Sequence, residues 1–360
     1  MGKCTLIVDG NWLLQSRLFA VKGMFKPGLS SYEHGHEALK TLLSQSLVGV
    51  INYLPIVNDV ILVHDGGSWR KDIEKPKCYS ESYKENRVRD KSEINWPEIF
   101  NAFREWTETA KEIGMTVSHS YGAEGDDWIA YWAKTLNDKG HDCIIWSTDH
   151  DLQQLVDLRF DSTFTVVFEK KYGIVMHEKA NKEGVLPLEF FLEPMDSFNM
   201  TWLKEHIETK KYVNPYDIVM EKVVCGDAGD NIKSIIRKPS GTRTNKVGPK
   251  EWLKCKQTLS INKSNFIDSR DAIVSYLFDL KKFKDFGIDN PEKIQEAKDM
   301  FDFNIKLVTL SLDIIPSHLF ENAEYKDFKV SDIKNNYKTL SGFGHEVTSS
   351  IDSLVEELPF

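Results

Sequence analysis

CTLIVD, residues 4–9, decides the fold class: a short apolar, β-branched-rich run closed by an acid. Such a run leaves no face for water, which is the pattern of a strand covered on both sides. DVILVH (59–64) and CIIWS (143–147) repeat it. Between these runs, HEALKTLLSQSLVGVINYL (36–54) and WPEIFNAFREWTETAKEI (96–113) carry apolar residues at three- and four-residue spacing. Pro97 stands early in the second, where a helix tolerates it. DDWIAYWAKTLNDKG (126–140) reads as a further helix that Gly140 caps. Strand–helix alternation predicts an α/β fold, a mostly parallel sheet with flanking helices. TFTVVFEKKYGIVMH (163–177) reads as a hairpin at the edge or rim of that sheet. Beyond Asn214-Pro215 the texture turns helical, which puts a domain boundary at 210–216 and a helical domain over 215–335. The first part is then 1–214, with a basic excursion at 66–95, and LSGFGHEVTSS (340–350) leads into a tail within 336–360.

The bulk numbers narrow the class. A chain of 360 residues has room for two domains, and 41% hydrophobic with 28% charged residues is ordinary for a globular protein. No apolar run reaches the 18 residues a membrane span needs. The start MGKCTLIVDG has no basic-then-apolar leader, and Leu6 stands where N-myristoylation wants Ser or Thr. The five cysteines never form CxxC, which speaks against zinc and against a disulfide framework and for a reducing cytoplasm. A net charge of −9 argues against nucleic acid only if the signs are mixed. They are not: residues 68–91 hold eight Lys/Arg, and 233–256 hold eight against the single acid Glu251.

The acids cluster where strands end or helices open. Asp9 closes CTLIVD and Asp65 closes VILVHD; AEGDD supplies Glu124, Asp126 and Asp127; STDHD supplies Asp149 and Asp151; GDAGDN supplies Asp227 and Asp230. Carboxyl ends of parallel strands converge on one rim, so Asp9, Asp65 and Asp149 should share it. Any single Asp there is more often a turn or cap residue. Caps do not require acids at five such places, grouped at three of them. Crowded carboxylates repel, so they take up protons or bind hard cations through oxygen, Mg2+ first and Mn2+ as substitute. Two such ions suit phosphodiester hydrolysis. The expectation is nine carboxyl groups meeting in one pocket.

The bases fall into two segments. Around Arg70, Lys71, Lys84, Arg87 and Arg89, the aromatics Trp69, Tyr79 and Tyr83 are interleaved, which suits a single strand, though a solvated charged loop would read the same way. SIIRKPSGTRTNKVGPKEWLKCK (234–256) offers Arg237, Lys238, Arg243, Lys246 and Lys250 to a duplex backbone, or forms a solubilising loop.

VDGNWLL, VHDGGSWRKD…SYKENR, AEGDDWIAYWAK, STDHDLQQLV and VVCGDAGDNI together resemble the 5′-nuclease (flap endonuclease) superfamily, most of all its ribonuclease H members from T-even bacteriophages. The likeness runs from about residue 3 to 320. It implies a PIN-like nuclease domain followed by a helix–three-turn–helix domain that grips duplex DNA. It implies a first metal group of Asp9, Asp65, Glu124, Asp126, Asp127 and Asp149, and a second of Asp151, Asp227 and Asp230. Lys84 and Arg87 would approach the scissile phosphate, with Tyr83 free for stacking. The implied activity is 5′→3′ exonuclease and flap endonuclease cleavage of DNA and RNA–DNA hybrids, removing RNA primers and 5′ flaps during replication, by a monomer working beside single-stranded-DNA-binding protein and a sliding clamp. The sequence departs from the family at the basic loop, where SIIRKPSGTRTNKVGPK replaces a compact GVxGxGxKTA. Two rivals remain at this point: a branched-DNA-binding protein without catalysis, and a single-stranded RNase of PIN type. The tail IDSLVEELPF resembles clamp-docking peptides and equally a short helix packed on the second domain. Removing residues 351–360 should cancel stimulation of activity by a sliding clamp; stimulation that survives the deletion rules out clamp docking by the tail.

Overall fold

In the computed structural model, strands β1 (Cys4–Asp9) and β2 (Asp59–Val63) are buried along their whole length, as their unbroken apolar runs require. The structure describes residues 3–54, 56–79, 81–87, 93–159, 163–169, 173–179, 208–237, 246–283 and 290–342. The chain divides into two compact units, one of Met1–Gly67, Arg89–Val213 and Pro316–Phe360, the other of Ser68–Val88 and Asn214–Ile315.

The first unit is built on an eight-stranded sheet. β3 (Thr116–Ser118), β4 (Asp142–Trp146), β5 (Asp157–Arg159), β6 (Thr163–Glu169), β7 (Gly173–His177) and β8 (Glu208–Val213) complete it, in the order β3-β2-β1-β4-β6-β7-β8 with β5 on β6. β1 pairs in parallel with β2 and β4, β2 with β3, and β4 with β6. The 163–177 hairpin is antiparallel as expected, but it lies inside the sheet, because β8 adds in parallel to β7. Helices α1 (Gly10–Val21), α2 (Glu33–Tyr53), α3 (Trp96–Glu112) and α4 (Gly125–Asp138) pack around it. α1 was not foreseen; Asp9 caps it with a hydrogen bond from the Trp12 N–H. Trp106 of α3 is fully buried in the core, and its indole N–H donates to the Ser44 hydroxyl of α2 at 2.9 Å.

The second unit is helical: α5 (Pro215–Cys225), α6 (Pro249–Thr258), α7 (Arg270–Asp279) and α8 (Pro291–Val308). Proline at the first turn of α5, α6 and α8 gives up an N–H that a helix start leaves unbonded anyway. Asn214 and Asn290 cap α5 and α8, accepting from Tyr216 N–H and Lys293 N–H. Phe283, Phe301, Trp252 and Phe266 form the core, and Tyr79 and Tyr83 join it.

This division differs from the expected one in two segments. Ser68–Val88, read as part of the nuclease domain, clusters with the helical unit because its tyrosines are core residues there. Residues beyond Pro316 return to the first unit. There α9 (Val330–Asn335) and α10 (Tyr337–Ser341) bury Ile333 and Leu340, while the Tyr325 hydroxyl donates to buried Asp59, which also faces Lys3 at 3.4 Å. The end of the expected tail, 343–360, lies outside the described residues. Among the described residues no helix is long and apolar enough to cross a membrane. Trp106→Ala should cost about 3–5 kcal/mol of unfolding free energy, read by denaturant titration; a loss below about 1 kcal/mol would mean that the α2–α3 core is not packed as described.

Candidate metal centre and flanking bases

In a parallel sheet the carboxyl ends of the strands share one rim, and the first unit lines that rim with acids. Asp9 ends β1; it accepts from the Trp12 N–H at 2.9 Å and from the Ser147 hydroxyl at 2.8 Å. The same Ser147 oxygen accepts the Asp149 N–H at 3.1 Å, so one hydroxyl ties the end of β1 to the loop after β4. Asp149 in turn accepts the Asp151 N–H at 2.9 Å. Asp65, two residues past β2, is clasped from both sides. Asn11 of α1 donates to one carboxylate oxygen at 2.5 Å and accepts the Asp65 N–H at 3.1 Å, while the Gly125 N–H donates to the other oxygen at 2.7 Å. A Cβ at residue 125 would crowd that oxygen at 3.2 Å. Glu124 and Asp127 form a capping box on α4, with the Glu124 N–H donating to Asp127 at 3.0 Å. Asp127 is buried, Asp126 and Asp151 are half-buried, and Asp65 and Asp149 are exposed.

Burial pushes the Asp9 carboxyl up to about 6, and the nearby charges of Asp65 and Asp149 push the same way against the Trp12 and Ser147 hydrogen bonds. Among the described residues no three His, Cys, Asp or Glu side chains stand together as a group that could hold a metal ion. Asp9, Asp65, Asp127 and Asp149 each turn oxygens toward N–H or O–H donors. The donor set nevertheless fits a hard divalent cation. Every side-chain ligand offered is an oxygen, and Asp9, whose ionisation is opposed chiefly by burial, is opposed also by the charges of Asp65 and Asp149, which a cation would offset.

The two remaining acids, Asp227 and Asp230, belong to the second unit. Gly226, at φ +74°, closes the turn after α5; a Cβ there would lie 2.5 Å from the Ile232 carbonyl. Asp227 and Ile232 exchange backbone hydrogen bonds of 2.9 and 2.7 Å across this turn. Burial alone would raise the Asp227 carboxyl, but the Lys222 ammonium at 2.6 Å and the Gly229 and Asp230 N–H groups hold it below its ordinary value. Asp230 accepts from the Tyr83 hydroxyl at 3.2 Å and from the Arg87 guanidinium, with the Lys84 ammonium 3.9 Å away. Both acids therefore already face bases, and this compensation leaves them less need of a cation than Asp9 has.

The bases sort by burial. Lys84 N–H donates to the Asp230 carbonyl at 3.0 Å and Asn86 to the Ala228 carbonyl at 2.9 Å, which lays residues 83–87 along the 226–232 turn. Tyr83, expected to be free for stacking, is 6% exposed, its ring in the core. Arg70, expected on nucleic acid, is 2% exposed; its guanidinium donates to the Leu307 carbonyl at 3.0 Å and lies over the Trp69 ring. Alternation of bases with aromatics cannot tell an open stack from a ring that packs inward and an Arg that follows it. Lys71, Arg237 and Lys250 are exposed, and Arg237 pairs with half-buried Lys246 in a backbone bridge at the foot of the basic loop. Arg89, Lys238 and Arg243 lie outside the described residues. Asn11, Ser147 and Lys222 were not foreseen; their only signal is the polar residue two after Asp9, two before Asp149 and five before Asp227.

A family model described as the 5′-3′ exonuclease N-terminal resolvase-like domain matches residues 4–184. Among solved structures, the bacteriophage T5 D15 flap endonuclease, in a pseudo-enzyme–product complex with DNA and metal ions, is 16% identical; the match covers 94% of this chain and 100% of that one with a TM-score of 0.51. The T5 D15 protein co-crystallised with metal ions is 15% identical, with coverage of 94% and 98% and a TM-score of 0.50. At such identity the likeness is one of fold. No curated protein matches.

Because the folded Asp9 carboxyl titrates above its ordinary 3.8, Asp9 favours the folded state while protonated, and that contribution is lost as pH rises from about 4 through about 6. The full loss is roughly 3 kcal/mol, at about 1.4 kcal/mol per pH unit. In chelator at neutral pH, Asp9→Asn should raise unfolding free energy by about 1–3 kcal/mol, since Asn keeps the cap and drops the charge. Denaturant titrations at two pH values read it; a variant less stable than the parent at neutral pH contradicts the repulsion.

Proposed function

The chain belongs to the 5′-3′ exonuclease family, and on that premise we propose that it is a magnesium-dependent 5′-nuclease hydrolysing phosphodiester bonds of DNA and RNA–DNA hybrids at branched or single-stranded 5′ ends. The observation that carries the reading is the acidic rim, where buried Asp9 is held beside Asp65 and Asp149 although their charges oppose its own. Asp9, Asp65, Glu124, Asp126, Asp127, Asp149 and Asp151 would hold two Mg2+ ions, with Mn2+ as substitute. Bound there, such ions supply a water of lowered pKa and a counter-charge for the leaving oxygen.

The protein's own groups orient and neutralise. Asn11, Ser147 and the Gly125 N–H fix where the Asp65 and Asp9 oxygens point, so little reorganisation remains for a phosphate to impose. Asp230 holds Lys84 and Arg87 as a pair of cations for phosphate oxygens. Asp227 and Asp230 thereby act as positioning residues, a role their ion pairs support better than direct metal ligation. Lys71, Arg237, Lys246 and Lys250 suit sequence-independent backbone contacts, which makes binding weaken as salt rises. The DNA and metal ions in the T5 flap endonuclease complex support the same substrate class. Removal of RNA primers and 5′ flaps in a phage-type replication cycle, by a monomer beside single-stranded-DNA-binding protein and clamp, follows from the resemblance of the sequence motifs.

A 5′-labelled flap placed beside a nicked RNA–DNA hybrid should be cut in Mg2+ and stay intact in EDTA. Asp149→Asn and Asp127→Asn should each lower turnover by at least about a hundredfold while binding of the same DNA stays within about threefold. Lys84→Ala should lower kcat more than it raises KM. Turnover like the parent's in either Asn variant removes the assigned residues from the site.

A further inference from the structure

Tyr121 stands in the loop between β3 and α4 with 94% of its surface in water, the most exposed large apolar side chain among the described residues. Single exposed aromatics are common and mean little alone. The backbone around this one is what distinguishes it. The Gly122 N–H donates to the Gly66 carbonyl at 2.9 Å, the Gly66 N–H donates to the Ala123 carbonyl at 2.8 Å, and the Ala123 N–H donates to the Ser120 carbonyl at 3.2 Å. Gly66 can serve only as glycine, since a Cβ would lie 1.8 Å from the Ser120 carbonyl oxygen. Gly122 sits at φ +86°, the left-handed region that side-chain-bearing residues avoid.

Gly66 follows Asp65 directly, and the Gly125 N–H grips Asp65 four residues after the tyrosine. Three contacts to Gly66 and Asp65 therefore fasten the chain just after Tyr121, at residues 122, 123 and 125, and the ring stands in water on that fastened loop, whose residue 125 touches the rim acid Asp65. Backbone fixed in this way has little freedom left to lose when a flat partner lies on the ring.

We propose that Tyr121 is a stacking platform for an unpaired nucleobase, a positioning residue that sets which phosphate of a strand comes to the acidic rim. The proposal rests on the nuclease reading of that rim. Every base has a π-face, so the platform accepts any base, and stacking makes no use of a 2′-hydroxyl, so it serves DNA and RNA alike. It also takes the place of Tyr83, which is buried.

The test uses a single-stranded oligonucleotide carrying 2-aminopurine at successive positions from its 5′ end, bound to the full chain in EDTA. Fluorescence should be quenched at one or two neighbouring positions; Tyr121→Ala should lift that quench, Tyr121→Leu should do the same, and Tyr121→Phe should keep it. With Mg2+ and the unmodified strand, Tyr121→Ala should raise KM about tenfold, the scale of one lost base stack, and spread the cut over neighbouring phosphates. Quenching that is absent, or unchanged in Tyr121→Ala, overturns the platform. Tyr121-dependent quenching without Mg2+-dependent cutting overturns the nuclease reading and keeps the platform; cutting without such quenching does the reverse.

Discussion

Carboxylates brought to one place repel one another, and the first unit brings buried Asp9 to the same sheet rim as exposed Asp65 and Asp149. Parallel pairing of β1, β2 and β4 brings Asp9, Asp65 and Asp149 to one rim whether or not their charges agree. What keeps them there is a set of neutral donors: the Ser147 hydroxyl between β1 and β4, the Asn11 amide on Asp65, and the N–H groups of Trp12, Gly125 and Asp151. Neutral donors orient a carboxylate without cancelling its charge. The Asp9 carboxyl, pushed up to about 6 first by burial and then by its neighbours, registers the repulsion that remains. Strain of this kind persists only where surrounding structure fixes it, and it is typical of sites that bind something.

The second unit treats its acids in the opposite way. Asp227 and Asp230 are each met by ammonium or guanidinium groups, Lys222 on one and Arg87 with Lys84 on the other. Asp227 consequently lies below its ordinary value, where Asp9 lies above. Compensated acids make good struts: here they fasten residues 83–87 to the turn after α5 and fix where two cations stand. The same residue type thus does two different physical tasks, distinguished by whether its partners carry charge.

The sequence made the rim legible because its signal is local. An apolar run with an Asp at its end or within three residues of it, three times over, needs only the rule that parallel strands end together. What stayed hidden depended on contacts between distant segments. Tyr79 and Tyr83 read as open stacking rings until α5 and α8 were seen to cover them. Arg70 read as a phosphate contact, although the Leu307 carbonyl, 237 residues away, takes its guanidinium. The 163–177 hairpin read as an edge because β8, which covers it, begins only at Glu208. Tyr121 escaped notice for another reason: nothing in SHSYGAE says that Gly66 will pin the loop and leave the ring in water.

The central claim is that these rim carboxylates are a divalent-ion site. Anomalous scattering from crystals of the full chain soaked in Mn2+ tests it most directly. The account predicts manganese peaks within about 2.0–2.4 Å of oxygens from Asp9, Asp65 or Asp149, on the scale of Mg2+ and Ca2+ ligand distances, and their loss in Asp9→Asn. Peaks confined to other surfaces, or none at the rim with the soaked protein still active, would contradict it.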